Sequence, residues 1–344
     1  MDFRLTGDQR ALKQGVRELL DRRFGREALR AAVEAAGGTG AGAGEGVAES
    51  AGAGAGEGDG GGRAQGGGGA QALDRALWRE LGAAGFFALR LPEAAGGVGL
   101  GLPEAVLLFE EAGRALLPGP LVATHLAAGE VPGAAEGETV VTRTDGELVE
   151  WLDAADVVLG PAEGAVPLRS VDPLTPLHRL PGTGHGTGTG HGTGTGHGTG
   201  TGTGADGRAP SHEASLLTAA EQLGSAARTT ELAVAYARTR EQFGQPIGAF
   251  QAVKHLCARM LVRTELARAA VYAAAVTADP VEVAGARLLA DEAALDGARD
   301  CLQVYGGMGF TWEADVHLHL KRAWVRAERG LSGAAAEELV AARL

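Results

Sequence analysis

The chain has 344 residues, a formal net charge of −12 and a sequence pI near 5.3, and its lysines and arginines form no marked cluster. Neutralising nucleic-acid phosphates requires a basic patch, so the composition argues against a nucleic-acid partner. There is no charged-then-apolar leader and no apolar run of about 18 residues, so we expect a soluble cytoplasmic protein without a membrane span. Cys257 and Cys301 fit small core residues in a reducing compartment.

Helical spacing marks the N-terminal third, residues 1–120. LTGDQRALKQGVRELLDRRF has Thr6 as a candidate N-cap and Gln9 three residues later, the pattern of a capping box that opens a first helix. Apolar residues recur at helical spacing again in 73–81. Pro103 stands where a helix tolerates proline, in the first turn of a further helix. We therefore predict an N-terminal helical domain.

Two segments have almost no apolar side chains to offset the entropy of ordering them. Residues 37–71 are nearly all Gly, Ala, Glu and Gln, and residues 182–210 form a Gly-Thr tract. We expect both to be flexible inserts in surface loops. The tract carries His185, His191 and His197, whose spacing fixes no metal geometry, so repeat expansion explains them better than a metal site.

The pattern changes between the helical parts, in residues 121–181. GETVVTRTDGELVEWL and ADVVLGPAEGAVPLRSV are short β-branched runs separated by Gly and Asp turns. Few strands can be counted in so short a stretch. The sequence therefore predicts a reduced β domain.

The C-terminal part, residues 211–344, is predicted to be a helix bundle. Apolar residues recur at helical spacing in four runs, 216–234, 250–264, 283–305 and 316–324. Pro280 is placed to begin the third helix, and the GGMG sequence at Gly306 is placed to end it. Long helices with short connections favour antiparallel packing.

The motif RTREQFGQPIGAFQAVKH, residues 238–255, interrupts the bundle with Phe-Gly and Pro. Arg238 and Arg240 lie less than one turn before the break, and Phe243 lies in it. Arginines placed so bind a diphosphate through charge-assisted hydrogen bonds, and the ring offers a flat face to a purine. Arginines that end a helix also simply complement its dipole, and an aromatic residue before Gly often seals a core, so both interpretations stay open.

The motif DCLQVYGGMGFTWE, residues 300–313, presents a similar choice. Its adjacent glycines, Gly306 and Gly307, follow a predicted helix. They either form a C-cap or let the backbone approach a phosphate where no side chain would fit. The residues alone leave both interpretations open.

Together, RTREQFGQPIGAFQAVKH and QVYGGMGFTWE resemble the C-terminal domain of the acyl-CoA dehydrogenase family. LTGDQRALKQGVRELLDRRF and LPEAAGGVGLGLPEAVLLFEEAGRALLPGPLVAT resemble its N-terminal part, so the resemblance covers nearly the whole chain outside the inserts. It implies a mainly α fold with an N-terminal helical domain, a central β domain that is reduced here, and a C-terminal four-helix bundle. It also implies FAD as cofactor, an acyl-CoA thioester as substrate, and assembly as a dimer or a dimer of dimers.

The resemblance implies two groups of cofactor contacts. The first group, from the 238–255 motif, would meet the pyrophosphate and adenine of FAD across a subunit interface: Arg240, Gln242 and Phe243, with Gln251 close by. The second group, from the glycine motif, would meet the same part of the cofactor from the other chain: Gln303, Gly306 and Gly307.

The reaction of the family removes the α-proton of the thioester with a carboxylate while a β-hydride passes to the flavin. Most members carry that glutamate at the position matched by Gly330, and a minority carry it at the position matched by Ala214, so this chain has it at neither. Glu328 and Glu213 lie nearby in sequence, but a shift of one residue turns a helical side chain by about 100°. They are candidates for a base or plain solvated residues, and the catalytic residue stays unassigned.

The middle domain departs further from the family. The Thr-Glu-Pro and Gly-Ser-Asp type segments that hold the flavin ring in dehydrogenating members do not occur in residues 121–181. LVEWLDAADVVL resembles the degenerate version of this domain in actinobacterial members, some of which work as heteromers with a base-bearing partner.

Two hypotheses follow from these matches and departures. Either the chain is a flavoprotein that oxidises an acyl-CoA between Cα and Cβ, or it is a non-catalytic subunit that completes the FAD site of a partner. Both predict a homo- or hetero-oligomer with an acyl-CoA dehydrogenase-like chain. An electron-accepting flavoprotein is a further candidate partner.

Overall fold

A computed structural model describes residues 5–38, 73–181 and 211–343 of the chain. Nearly all of the two predicted inserts falls outside these ranges, and so do His185, His191 and His197.

The described helices are α1 (Gly7–Arg23), α2 (Arg26–Gly38), α3 (Arg75–Ala83), α4 (Leu102–Ala115), α5 (Leu121–Ala127), α6 (His212–Thr239), α7 (Gln251–Thr277), α8 (Pro280–Tyr305), α9 (Val316–Ala327) and α10 (Gly333–Ala341). Short 3-10 turns lie at Glu93–Ala95, Leu152–Ala154, Ile247–Ala249 and Gly306–Phe310. The described strands are β1 (Val141–Asp145), β2 (Leu148–Glu150), β3 (Val157–Leu159), β4 (Val166–Leu168), β5 (Leu177–Arg179), β6 (Glu241–Gln242) and β7 (Gln245–Pro246).

The N-terminal helices begin where the sequence places their caps. The Thr6 hydroxyl accepts from the Gln9 amide at 3.1 Å and the Gln9 side chain accepts from the Thr6 amide at 2.9 Å, so the predicted capping box is confirmed. Pro103 lies in the first turn of α4, also as predicted. Trp78 and Phe87 are buried in the core that these helices share, with ring centroids 4.9 Å apart.

Five short strands form one sheet in the order β3-β1-β2-β5-β4, and β6 and β7 form a separate hairpin. In the larger sheet, β1 pairs in parallel with β3, and the other neighbours are antiparallel. Val141 and Val149 are fully buried, and the backbone of Val141 exchanges hydrogen bonds with the side chain of Thr124 on α5. The predicted small sheet is confirmed, whereas α2, α5 and α10 are helices that the sequence patterns above do not predict.

The long helices α6, α7 and α8 dominate the C-terminal part, and the predicted mainly helical fold is confirmed. Pro280 begins α8 and Gly306 follows its last residue, as predicted. Helix α4 lies directly against α6, because a Cβ added at Gly224 would come within 1.8 Å of the carbonyl oxygen of Glu110. Only glycine permits so close a crossing of two backbones.

A buried carboxylate links the N-terminal helices to the bundle. Glu110 on α4 lies 2.5 Å from the Lys13 ammonium and 2.6 Å from the Tyr272 hydroxyl, and it also pairs with Arg268. Burial raises the pKa of Glu110, but the two cations outweigh it and hold the pKa below its ordinary value. The carboxylate is therefore charged and fully partnered in the folded chain.

Candidate functional site

The first predicted motif forms a tight hairpin at the end of α6. The backbone leaves the helix at Arg240, whose amide still donates to the Tyr236 carbonyl at 2.8 Å. Gln242 pairs with Gln245 across the hairpin, which leaves a two-residue loop of Phe243 and Gly244 with φ values of 55° and 77°. Positive φ at both loop positions defines a type I′ turn, whose twist suits two antiparallel strands.

Phe243 is an unusual residue for this turn. The left-handed region costs a non-glycine residue roughly 1–3 kcal/mol, and Asn, Asp or Gly normally stands there. Its side chain is 92% exposed and meets the Phe250 ring only edge-on, with the centroids 6.1 Å apart. A strained aromatic side chain in solvent adds nothing to the stability of this chain, so a ligand or a neighbouring subunit is the better explanation for it.

The second predicted motif is a glycine turn at the end of α8. Gly306 has φ 58° and ψ −140°, a conformation that only glycine adopts readily, and its amide donates to the Gln303 carbonyl. A Cβ added at Gly306 or at Gly307 would meet no atom within 4 Å. Gly306 therefore serves the backbone conformation, and both glycines leave an open surface beside it.

The two motifs lie at the same end of the bundle. Tyr236, near the end of α6, stacks on Tyr305, the last residue of α8, with ring centroids 4.1 Å apart and planes 13° apart. Every predicted cofactor residue is exposed there, and we call this surface the bundle-end face: Arg240, Gln242, Phe243, Gln251, Gln303, Gly306 and Gly307. Arg238 and Lys254 are exposed in the same motif, so cations gather here on a chain whose net charge is −12.

The two positions matched to the base of the family come together elsewhere in the fold. Gly330 lies between α9 and α10, and a Cβ added to it would lie 3.8 Å from the hydroxyl of Ser215. Ser215 directly follows Ala214 in the first turns of α6. The two alternative positions thus converge on one place, and neither residue is a carboxylate.

The neighbouring glutamates are not poised to act as a base there. Glu213 forms a two-pronged ion pair with Arg90, at 2.9 and 3.0 Å, and this bond holds the pKa of Glu213 below its ordinary value. A lowered pKa makes a carboxylate a weaker proton acceptor. Glu328 is exposed at the end of α9.

Three arginines in and just after α9 form ion pairs, two of them with residues of the sheet region and one within the bundle. Arg322 pairs with the buried Asp172, Arg326 with Glu221 at 2.9 Å, and Arg329 with Glu150. We call these three ion pairs the arginine seam.

Burial dominates the titration of the central pair of the seam. Burial raises the pKa of Glu221 and lowers the pKa of Arg326 to about 10, so both shifts disfavour the charged forms of the two side chains. Arg326 nevertheless stays protonated at neutral pH, and the pair is held by direct hydrogen bonds.

Sequence reasoning missed the arginine seam, although α9 carries a signal for it. Arg322, Arg326 and Arg329 recur at i, i+4 and i+7, the spacing of one helix face. Glu221 lies between Ala220 and Leu223, in a part of α6 whose apolar residues predict burial, and a buried charge requires a partner. The two patterns together indicate a buried ion pair but not which residues meet.

The described ranges contain no group of His, Cys, Asp and Glu side chains that could hold a metal ion. None of the helices in those ranges is both long and apolar enough to cross a membrane.

Two family models match the chain. The model "Acyl-CoA dehydrogenase, N-terminal domain" matches residues 68–135, and the model "Acyl-CoA dehydrogenase, C-terminal domain" matches residues 211–336. The second match contains both motifs of the bundle-end face. Neither of these two models extends over residues 136–210, where the larger sheet lies.

Known proteins are similar over most of the chain. Acyl-CoA dehydrogenase IpdE2 of Mycobacterium tuberculosis is 35% identical in an alignment of 275 residues that covers 73% of this chain and 80% of the relative. The ChsE4-ChsE5 complex from Mycobacterium tuberculosis matches with a TM-score of 0.70 at 22% identity, over 100% of this chain and 98% of the other. The Tcur3481-Tcur3483 steroid ACAD matches with a TM-score of 0.68 at 21% identity, over 97% of each chain. The structural likenesses show the fold.

Proposed function

The chain belongs to the acyl-CoA dehydrogenase family, and we propose that it is a supporting subunit of an FAD-dependent acyl-CoA dehydrogenase assembly. It completes the FAD site of a neighbouring chain with its bundle-end face, and the neighbour supplies the catalytic base. One contrast carries the proposal. The bundle-end face retains every implied cofactor residue in an exposed position, while neither implied base position holds a carboxylate.

The residues of the bundle-end face fit a dinucleotide. The Arg240 guanidinium makes no hydrogen bond or ion pair with the described residues, so it is available to a pyrophosphate. Phe243 offers an aromatic face to adenine, and the open backbone at Gly306 and Gly307 admits a phosphate without a steric clash. Since all of these groups face outward, the rest of the cofactor lies on another chain.

The chemistry of the family needs a carboxylate at the α-carbon of the thioester. FAD supplies the hydride acceptor when it is bound. In this chain Glu213 is held by Arg90 and Glu328 is in solvent, so the proton must go to a carboxylate of the partner. The part of this chain is to bind and orient the nucleotide end of the cofactor.

Two structural neighbours support pairing with a different chain. ChsE4-ChsE5 is named as a complex, and Tcur3481-Tcur3483 is named as a pair and as a steroid ACAD. We propose that this chain also pairs with a different chain, and that this partner has the same fold and bears the base. A bulky acyl group such as a steroid side chain is the corresponding substrate of the assembly.

Flavin titration tests the proposal. We expect the chain alone to bind FAD weakly, and the chain co-expressed with a base-bearing acyl-CoA dehydrogenase subunit to hold FAD, with absorption bands that bleach on anaerobic addition of acyl-CoA. Arg240→Ala should weaken FAD binding by at least about tenfold, because charge-assisted hydrogen bonds are worth about 1.5–3 kcal/mol each. Arg22→Ala is the matched control, since Arg22 is an exposed arginine on α1.

The two measurements test the cofactor contacts and the supporting role separately. If Arg240→Ala and Arg22→Ala bind FAD with equal affinity, the bundle-end face does not contribute to the cofactor site. Stoichiometric FAD in the purified chain alone, bleached by an acyl-CoA, would show an independent dehydrogenase and reject the supporting role.

A further inference from the structure

The place where the two family base positions converge is closed by side chains of this chain. The Gly330 amide donates a hydrogen bond to the Asp145 carboxylate at the end of β1, which fastens the turn after α9 to the sheet. Arg329 lies across the same gap, where it pairs with Glu150 and lies 3.8 Å from Asp145. Two carboxylates of the sheet thus hold two consecutive residues of the bundle.

The turn is also held from the bundle side. Arg287 on α8 is fully buried, and its guanidinium donates to the carbonyl oxygens of Arg326 and Arg329, the latter at 3.1 Å. A third bond, to Asp291 at 2.7 Å, fixes the guanidinium itself. The carbonyls of Arg326 and Arg329, at and just after the end of α9, therefore accept hydrogen bonds from a buried cation.

Ser215 lies inside this closed junction. It is 2% exposed, and its hydroxyl is buried without a hydrogen-bond partner among the described residues. An enclosed, unpartnered hydroxyl costs about 1–3 kcal/mol. The hydroxyl lies beside both family base positions, because Ser215 follows Ala214 in the chain and a Cβ added at Gly330 would lie 3.8 Å from it.

We infer that this junction is a sealed structural joint, so that the chain does not admit an acyl-CoA thioester and the partner subunit binds the whole substrate. The statement that a substrate would lie at this junction rests on the proposed function. The closure of the junction rests only on the contacts above. Restoring a carboxylate at Gly330 or Ala214 therefore does not make the chain a dehydrogenase.

Thiol labelling measures access to the junction directly. In a background with Cys257→Ser and Cys301→Ala, the variant Ser215→Cys is treated with iodoacetamide in the folded full-length chain. Ser211→Cys is the matched control, because Ser211 is an exposed serine at the start of the same helix. We expect alkylation at position 215 to be at least about a hundredfold slower, since it requires local opening, and to be unaffected by octanoyl-CoA.

Hydrogen exchange on the unmodified chain gives the same answer without a substitution. The Gly330 amide should exchange slowly, and octanoyl-CoA should leave its rate unchanged, because the Asp145 bond protects it in both conditions. Opening the joint with Arg329→Ala should raise both the exchange of that amide and the alkylation of Ser215→Cys.

The results separate the joint from the proposed function. Alkylation of Ser215→Cys within about tenfold of the control, or any effect of octanoyl-CoA on either measurement, overturns the sealed joint. In that case, flavin binding that still depends on Arg240 would leave the supporting role intact. A sealed joint without Arg240-dependent flavin binding would retain the closure and reject the cofactor role.

Discussion

The crossing of α4 and α6 gives the sharpest prediction about stability, through the change Gly224→Ala. A Cβ at Gly224 would lie 1.8 Å from the carbonyl oxygen of Glu110, and a Cβ at Gly113 would lie 2.0 Å from that of Glu221. Both clashes involve backbone atoms, which cannot rotate away. The added methyl group must therefore push the two helices apart.

The structure sets the size of the effect. Ordinary contact begins near 3.4 Å, so the helices must separate by more than an ångström at the crossing. A radial gap of about 0.5–1 Å forfeits a quarter to a half of each dispersion contact. Separation would also strain the ion pairs of Glu110 with Lys13 and Arg268. Alanine gains about 1 kcal/mol in helix propensity over glycine, but we expect the free energy of unfolding to fall by about 3 kcal/mol in total.

Urea unfolding followed by circular dichroism measures this loss, with Gly285→Ala as the control. Gly285 lies inside α8, and a Cβ added there would meet no atom within 4 Å. The same substitution should therefore stabilise the chain there by up to about 1 kcal/mol. If Gly224→Ala unfolds at the same urea concentration as the unaltered chain, the close crossing of α4 and α6 is refuted.

Three further changes test other parts of the structure. Asp172→Ala removes the counter-charge of the buried Arg322 guanidinium and should cost about 3–5 kcal/mol in urea unfolding, whereas Glu231→Ala, which removes more exposed ion pairs with Arg114 and Arg228, should cost about 0–1 kcal/mol. Burial lowers the pKa of His319 to about 3, below its unfolded value near 6.5, so its stabilisation is complete above pH 6.5 and is lost as the pH falls toward 3. That loss is about 2 kcal/mol by pH 5, and His319→Gln should be less acid-sensitive by this amount; equal sensitivity would contradict it. Phe243→Asn should raise stability by about 1 kcal/mol because Asn suits the turn, and should weaken FAD binding in the assembly; unchanged binding would exclude a role for the ring.

Elements with local signals could be predicted from the sequence. Pro280 and Gly306 bound α8 because proline suits a first helical turn and glycine suits the conformation that ends a helix. Thr6 and Gln9 satisfy the amides at the start of α1 through contacts three residues apart. Such signals lie within a few residues of the feature that they specify, so they can be read without knowledge of the fold.

The helices that the sequence patterns do not predict have weaker local signals. α2 (Arg26–Gly38) is rich in alanine and runs into the glycine-rich segment, which hides its end. α5 (Leu121–Ala127) has only seven residues and no side-chain cap, and its burial is shared with the sheet through Thr124. Tertiary packing stabilises such short helices more than propensity does.

The contacts that decide the chemistry could not be predicted from the sequence. Glu213 is ion-paired with Arg90, and Glu150 is ion-paired with Arg329; both pairs join residues that are far apart in the chain. A sequence shows that Gly330 is not a carboxylate, but only the fold shows that its amide is bonded to Asp145 and that Arg329 lies beside the same carboxylate. The loss of a base is local, whereas the closure of its site depends on three separate elements.

The cofactor face and the sealed junction are built from different parts of the chain, and this explains how one can persist without the other. The bundle-end face depends on the ends of α6 and α8, which Tyr236 and Tyr305 hold together by stacking. The junction depends on the opposite end of α6, on the end of α9 and on the sheet. Because α6 is 28 residues long, about 40 Å separates its two ends. Substitutions that close the junction therefore need not disturb the surface offered to a neighbouring subunit, and a chain that has lost its own base can still complete the cofactor site of another.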